Sequence, residues 1–126
     1  GDVHVVSTHI GKDSKYLLDR IARNESKTPT TFFSLDVAEK EINKAISSNY
    51  STVLEWLKSA PEGSLTQRGW LLDGLETGES LGYGFVQNIN GSVSRVDNIK
   101  TITVVLKKVS TQPNGFVVYT AYPLIK

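Results

Sequence analysis

At Pro61-Glu62-Gly63 the periodicity of the chain changes, and this switch limits the fold more than any other feature of the sequence. Before it, apolar residues recur at helical spacing; after it, they alternate two by two between turn signals. Asp13 or Ser14 can cap a first helix running to about Asn24, with Leu17, Leu18 and Ile21 as its apolar stripe. Residues 25–34 carry Pro29 and several hydroxyls and read as a loop, anchored in the core by Phe32 and Phe33. The Asp36-Val-Ala-Glu39 stretch is close to a capping box, and Ala38, Ile42, Ala45 and Ile46 continue it as a second helix to about residues 47–49. A third helix begins at the capping box Thr52-Val-Leu-Glu55, buries Val53, Leu54, Trp56 and Leu57, and stops at Ala60–Gly63.

Beyond the switch, Leu65–Leu72 and Tyr83–Ile89 are strand candidates, separated by a glycine-rich segment, Gly74–Gly84, that reads as a mobile loop. Asn90-Gly91 is a two-residue hairpin signal. Thr101–Val109 alternates, with Ile102, Val104 and Leu106 facing inward and Thr101, Thr103 and Lys107 outward. Gln112–Gly115 is a turn, and Phe116–Tyr122 a last strand closed by Pro123. Residues 1–10 read as an extended or irregular arm. Helices first and antiparallel strands afterwards predict an α+β fold, with N-terminal helices packed on an antiparallel sheet. At 126 residues the expectation is a single domain, residues 1–126, with a substantial core.

Composition narrows the chemistry. With no cysteine, disulfides and thiolate metal sites are excluded, and two histidines without suitably spaced carboxylates leave no expected metal site or other cofactor. Fourteen basic residues against thirteen acidic ones give a net charge of +1, so any positive surface for nucleic acid must be local. No apolar run approaches a membrane span, and no signal-peptide pattern opens the chain. The glycine-rich Gly74–Gly84 segment lacks the G-x-x-x-x-G-K-[ST] pattern, and its two glutamates would repel phosphate.

Both histidines, His4 and His9, fall within six residues, followed by Gly11-Lys12-Asp13 and a helix carrying Arg20. Histidine alone titrates near neutrality when unperturbed, which makes this stretch the first place to look for proton transfer. The bland alternative is two ordinary surface or half-buried histidines. Arg20 sits on the shoulder of the first helix's apolar stripe, where its stem can lie on the core while the guanidinium faces a cleft. On the last strand Thr120 and Tyr122 are two apart and share a face. Both are good β-formers, so taken alone they need no function.

Three stretches in order carry a resemblance. His4–Lys12 with Leu17-Leu-Asp-Arg20 opens it; Thr31-Phe-Phe-Ser-Leu-Asp36, Ala38-Glu39 and Glu55-Trp-Leu57 form its middle; Ile102-Thr-Val-Val-Leu106 and Thr120-Ala-Tyr-Pro123 close it. Together they resemble the ribonuclease-A-like toxin domains at the C-terminal tips of bacterial contact-dependent growth-inhibition (CDI) proteins. The resemblance implies a kidney-shaped α+β ribonuclease fold without disulfides, and metal-independent cleavage of RNA, with tRNA a candidate substrate. It implies His9, Arg20, Thr120 and Tyr122 as the active site. It also implies a C-terminal piece of a larger secreted or cell-surface protein acting in the cytoplasm of target cells, a cognate immunity protein over the active site, no stable membrane insertion, and a monomer when free.

The chemistry of that set is coherent. RNA supplies its own nucleophile, the 2′-hydroxyl, so the enzyme has only to move protons and stabilise charge. His9 can take the 2′-proton or protonate the leaving 5′-oxygen. Arg20 can grip two phosphate oxygens at once. Lys12, just before a helix N-terminus, adds charge where an anion is already favoured. Thr120 can donate to phosphate or read a base edge; Tyr122 can orient phosphate, stack a base or act as a weak acid. The expected product is a 2′,3′-cyclic phosphate, and DNA, lacking the 2′-hydroxyl, should not be cut. His4, on an extended arm, faces away from His9 and joins the site only if the arm kinks. The alternatives are an EndoU-like ribonuclease toxin, or a non-catalytic module that binds RNA or protein through the same residues.

Overall fold

The computed structural model describes residues 9–126. The elements run α1 (Ser14–Ala22), β1 (Thr30–Phe32), α2 (Leu35–Ser48), α3 (Tyr50–Ser59), β2 (Asp73–Glu76), β3 (Gly82–Gln87), β4 (Val93–Ile99), β5 (Thr101–Lys108) and β6 (Phe116–Pro123). The α+β arrangement is as expected, but the strands form two three-stranded antiparallel sheets rather than one. Their orders are β1-β3-β4 and β2-β5-β6. Only Lys100 separates β4 from β5, so the chain steps directly from one sheet into the other there. No helix among the described residues is long and apolar enough to cross a membrane.

The helices begin where local capping chemistry allows. Asp13 caps α1 by accepting from the Tyr16 N–H, and Ser34 caps α2 through the Val37 N–H. Ser34, not Asp36, therefore starts the second helix. The third starts at Tyr50 rather than at Thr52, with Asn49 as an N-cap that makes no side-chain cap bond. One core joins α2 and α3 to the second sheet and to β1 through Phe32, Ile42, Val53, Leu72, Ile102, Val104 and Leu106. This burial fixes the register of β5, because a one-residue slip would take Ile102, Val104 and Leu106 off the core and onto the face where Thr101 and Thr103 bond Glu76 and Asp73. Helix α1 packs elsewhere. Its Leu17 and Ile21 meet Phe85 and Tyr83 of β3 in a small separate cluster.

Several expectations are corrected. Thr30–Phe32 is a strand, not loop, pairing with β3. Gly82 permits that pairing, since a Cβ there would overlap the Thr31 carbonyl. Phe32 is fully buried, but Phe33, in the bend just past the strand, is half exposed. Leu54 likewise faces solvent on α3. Leu65–Leu72 is not a strand; Leu65 makes a single bridge to Lys107, and residues 67–72 turn over the second sheet. The Gly74–Gly84 segment is largely strand, contributing to β2 and β3. The Asn90-Gly91 signal does close a hairpin, but with three residues between Asn88 and Ser92 and Gly91 at φ 86°. Thr101 and Thr103 are buried, not outward-facing, because their hydroxyls donate to Glu76 and Asp73 on the neighbouring strand.

Candidate active site

Residues 9–12 run beside β1. Ile10 bridges Phe32 in parallel, the Gly11 N–H donates to the Phe32 carbonyl at 2.9 Å, and the Lys12 N–H donates to Thr31 Oγ1 at 2.9 Å. The fully buried Thr31 also donates toward the His9 carbonyl at 3.2 Å, which fixes the histidine's backbone. Gly11 has φ 61°, the left-handed region that lets the chain turn from this ladder into α1. Helix α1 ends in a Schellman turn: Asn24, at φ 58°, donates to the Ile21 carbonyl and Glu25 to that of Arg20. The reversal brings Ser26 and Thr28 back beneath Arg20. The Arg20 Nε lies 3.6 Å from Glu25 Oε1, an ion pair that fixes the direction of a guanidinium whose side chain remains 23% exposed.

The C-terminal strand closes the site. Thr30 Oγ1 donates to the Pro123 carbonyl at 2.6 Å, tying the end of β6 to β1 across 93 residues of sequence. Tyr122 thereby meets His9, their ring centroids 5.6 Å apart at 46°. His9, Arg20, Ser26, Thr28, Thr30 and Tyr122 together line a cavity of about 190 Å³. Burial, with the charges of Arg20 and then Lys12 behind it, lowers the His9 pKa to about 4, so the imidazole is neutral at pH 7. Its Nδ1 is buried and has no hydrogen-bond partner among the described residues. Burial and the charge of Asp73 push the Tyr122 phenol upward, so it keeps its proton.

Tyr122 is also one wall of a second hollow, a cleft of about 290 Å³ between β5, β6 and the 67–72 loop. Thr120 lines this cleft and not the His9 cavity. It shares a face with Tyr122, as the two-residue spacing implied, despite a bulge where Val105/Leu106 face Thr120/Val118. Lys12 lies in neither hollow. Its ammonium sits 5.0 Å from the centroid of the Tyr16 ring, and the helix N-terminus beside it is already capped by Asp13. His4 lies outside the described residues. Ser26, Thr28 and Thr30 were missed from sequence because hydroxyls in a loop carry no periodic signal. Asp73 was missed because it falls between the Leu65–Leu72 strand candidate and the Gly74–Gly84 segment that reads as a mobile loop. Among the described residues, no three His, Asp or Glu side chains gather as a metal-binding group.

A family model for the bacterial CdiA-CT RNAse A domain matches residues 3–123. The chain belongs to this family. A chain in the crystal structure of a CdiA-CT/CdiI complex from Y. kristensenii 33638 has a similar fold, with a TM-score of 0.73 at 21% identity over 97% of this chain and 99% of that one. No curated protein sequence matches the chain. Membership of the CdiA-CT RNAse A family favours the ribonuclease-A-like reading over the EndoU-like one, and it makes this a CDI toxin domain of ribonuclease type.

Proposed function

We propose that this CDI toxin domain is an RNA endonuclease that cleaves through attack of the 2′-hydroxyl on the adjacent phosphorus, without a metal ion. The observation that carries the reading is a neutral imidazole, His9, sharing one cavity with Arg20 and the protonated Tyr122. A neutral imidazole is the form that accepts a proton, so His9 removes the 2′-proton as the oxygen attacks. Arg20 donates two hydrogen bonds to the non-bridging oxygens and stabilises the charge growing on phosphorus. The leaving 5′-oxygen is far more basic than a phenolate, so Tyr122 can give it a proton. The bond to the 5′-oxygen breaks, a 2′,3′-cyclic phosphate and a 5′-hydroxyl form, His9 holds the proton taken from the 2′-oxygen, and Tyr122 is left as a phenolate until that proton returns to it through solvent. DNA lacks the nucleophile. Thr120, on the cleft side of Tyr122, steadies the substrate beyond the phosphate rather than the phosphorus itself. Lys12 acts at a distance, through its charge on His9.

The domain is the toxic tip of a larger cell-surface protein, acting in the cytoplasm of a target cell. A cognate immunity protein, of the kind the CdiA-CT/CdiI complex contains, occludes the site in the producing cell. Acidic groups on that partner would complement Arg20. Normal growth of cells expressing the active domain without a partner would refute this protective role. The catalytic reading is tested by incubating the purified domain with total tRNA in EDTA. Cleavage to cyclic-phosphate ends that disappears in His9→Ala supports it; RNA that is retarded on a gel but intact would instead make the domain a binder.

A further inference from the structure

We propose that the cleft behind Tyr122 is a nucleobase subsite in which Asp73 reads adjacent N–H donors of the base, with guanine preferred and uracil disfavoured. The inference rests on the ribonuclease reading, since it places a base one aromatic ring away from the scissile phosphate.

Three features of the cleft carry it. First, its charge is wrong for phosphate. Asp73 faces the cavity, and hydrogen bonds from the Gly69 N–H and the Thr103 hydroxyl hold its carboxyl below the usual aspartate range and hence ionised. Second, that carboxylate is oriented but not saturated. Gly69 donates to Oδ2 at 2.7 Å and Thr103 to Oδ1 at 2.8 Å, one bond per oxygen. A carboxylate has about four lone-pair sites, so each oxygen can accept one more. Third, Trp70 and Tyr122 supply flat apolar walls, while Gln67 and Thr120 supply groups that both donate and accept. Trp70 itself packs against Trp56, with ring centroids 5.8 Å apart.

A planar, uncharged occupant with paired donors satisfies all three features. The Watson–Crick edge of guanine presents N1–H and the 2-amino group side by side, matching two carboxylate oxygens. Uracil presents its single N3–H between two carbonyl oxygens, which a carboxylate repels. Arg68, at the mouth of the cleft, offsets part of the Asp73 charge and can meet the phosphate that follows the base.

The test uses dinucleoside monophosphates with the base varied on either side of the phosphate, and reads kcat/KM. For the wild-type protein a guanine substrate should exceed its uracil counterpart at one of the two positions by about tenfold or more, as a bidentate base contact would give. Replacing guanine by hypoxanthine, which deletes only the 2-amino group, should remove much of that advantage. In Asp73→Asn the guanine-to-uracil ratio should collapse toward one. A uniform loss on all substrates, from the influence of Asp73 on Tyr122, cancels in the ratio. Equal rates for guanine, hypoxanthine and uracil with the wild-type protein would overturn the subsite while leaving the nuclease intact, and so would an unchanged ratio in a folded Asp73→Asn. Cleavage of none of the substrates, nor of tRNA, would overturn the ribonuclease reading and the subsite with it.

Discussion

The two hollows that meet at Tyr122 are built from different parts of the chain and differ in charge. The His9 cavity draws on residues 9–30 plus the end of β6, is flanked by Arg20, and holds its titratable base neutral. The neighbouring cleft draws on residues 65–73 and the strands β5 and β6, and holds a carboxylate ionised. One nucleotide has the same division: an anionic phosphodiester at one end, an uncharged flat base with N–H donors at the other. The comparison predicts that rate and selectivity are separable, because among the described residues Tyr122 alone lines both hollows. Changes on the His9 side should alter rates for every RNA, and changes on the Asp73 side should alter which RNA is cut.

The sharpest way to break this division is His9→Ala. Loss of a positioned general base should lower kcat/KM by about 10²–10⁴-fold on any cleavable RNA, with the fold retained by circular dichroism. A base-dependent loss would mean that His9 belongs to recognition instead. Next in size is Arg20→Ala, which should cost about 10²–10³-fold, comparable to removing one oxyanion donor. Arg20→Lys should recover little of it, since a point charge cannot reproduce the two-pronged grip. Arg20 also adds a second signature. Its charge helps hold the His9 pKa down at about 4, so its removal should move the acidic limb of the kcat/KM profile to higher pH. An unmoved limb would show that Arg20 and His9 do not share a field.

How far the sequence foretold these hollows depends on which interactions built them. Helix positions were legible because capping residues and apolar spacing act locally, and β5 and β6 were legible because alternation does too. The grouping of His9, Arg20 and Tyr122 came from the family resemblance, not from periodicity; the structure assembles it through contacts such as Thr30 to Pro123 that no local pattern records. The 65–76 region was the main failure. Leu65–Leu72 reads as a strand, yet the Gly69 N–H and Thr103 hydroxyl pin Asp73 so that the loop folds over the sheet. Those bonds join residues 30 apart in sequence or depend on a glycine at φ 84°. The carboxylate they orient was therefore invisible until the fold was known.

Thr120→Val tests the boundary between the hollows. Thr120 lines the Asp73 cleft and not the His9 cavity, so loss of its hydroxyl should cost about tenfold or less, the scale of one neutral hydrogen bond at ~0.5–1.5 kcal/mol. A loss as large as that of Arg20→Ala would place Thr120 at the phosphorus and erase the division drawn above.

A stability effect isolates the environment of His9 from any chemistry. The folded protein holds this imidazole at a pKa of about 4, below its ordinary value of 6.5. Above pH 6.5 neither folded nor unfolded chain protonates it, and the full stability is present. As pH falls below 6.5 the unfolded chain takes up a proton that the native site refuses, so stability declines until the native imidazole protonates near pH 4. The carboxylates with lowered pKa, Asp73 and Glu62, act only below the ordinary carboxylate range, which leaves pH 7 to 5 clear for histidine. Wild-type protein should therefore lose urea midpoint between pH 7 and 5, and His9→Gln, which cannot titrate, should lose less over the same interval. Parallel declines in the two proteins would mean that His9 is hydrated and titrates normally, and the cavity around it would then lack the dry wall that keeps a base neutral beside an arginine.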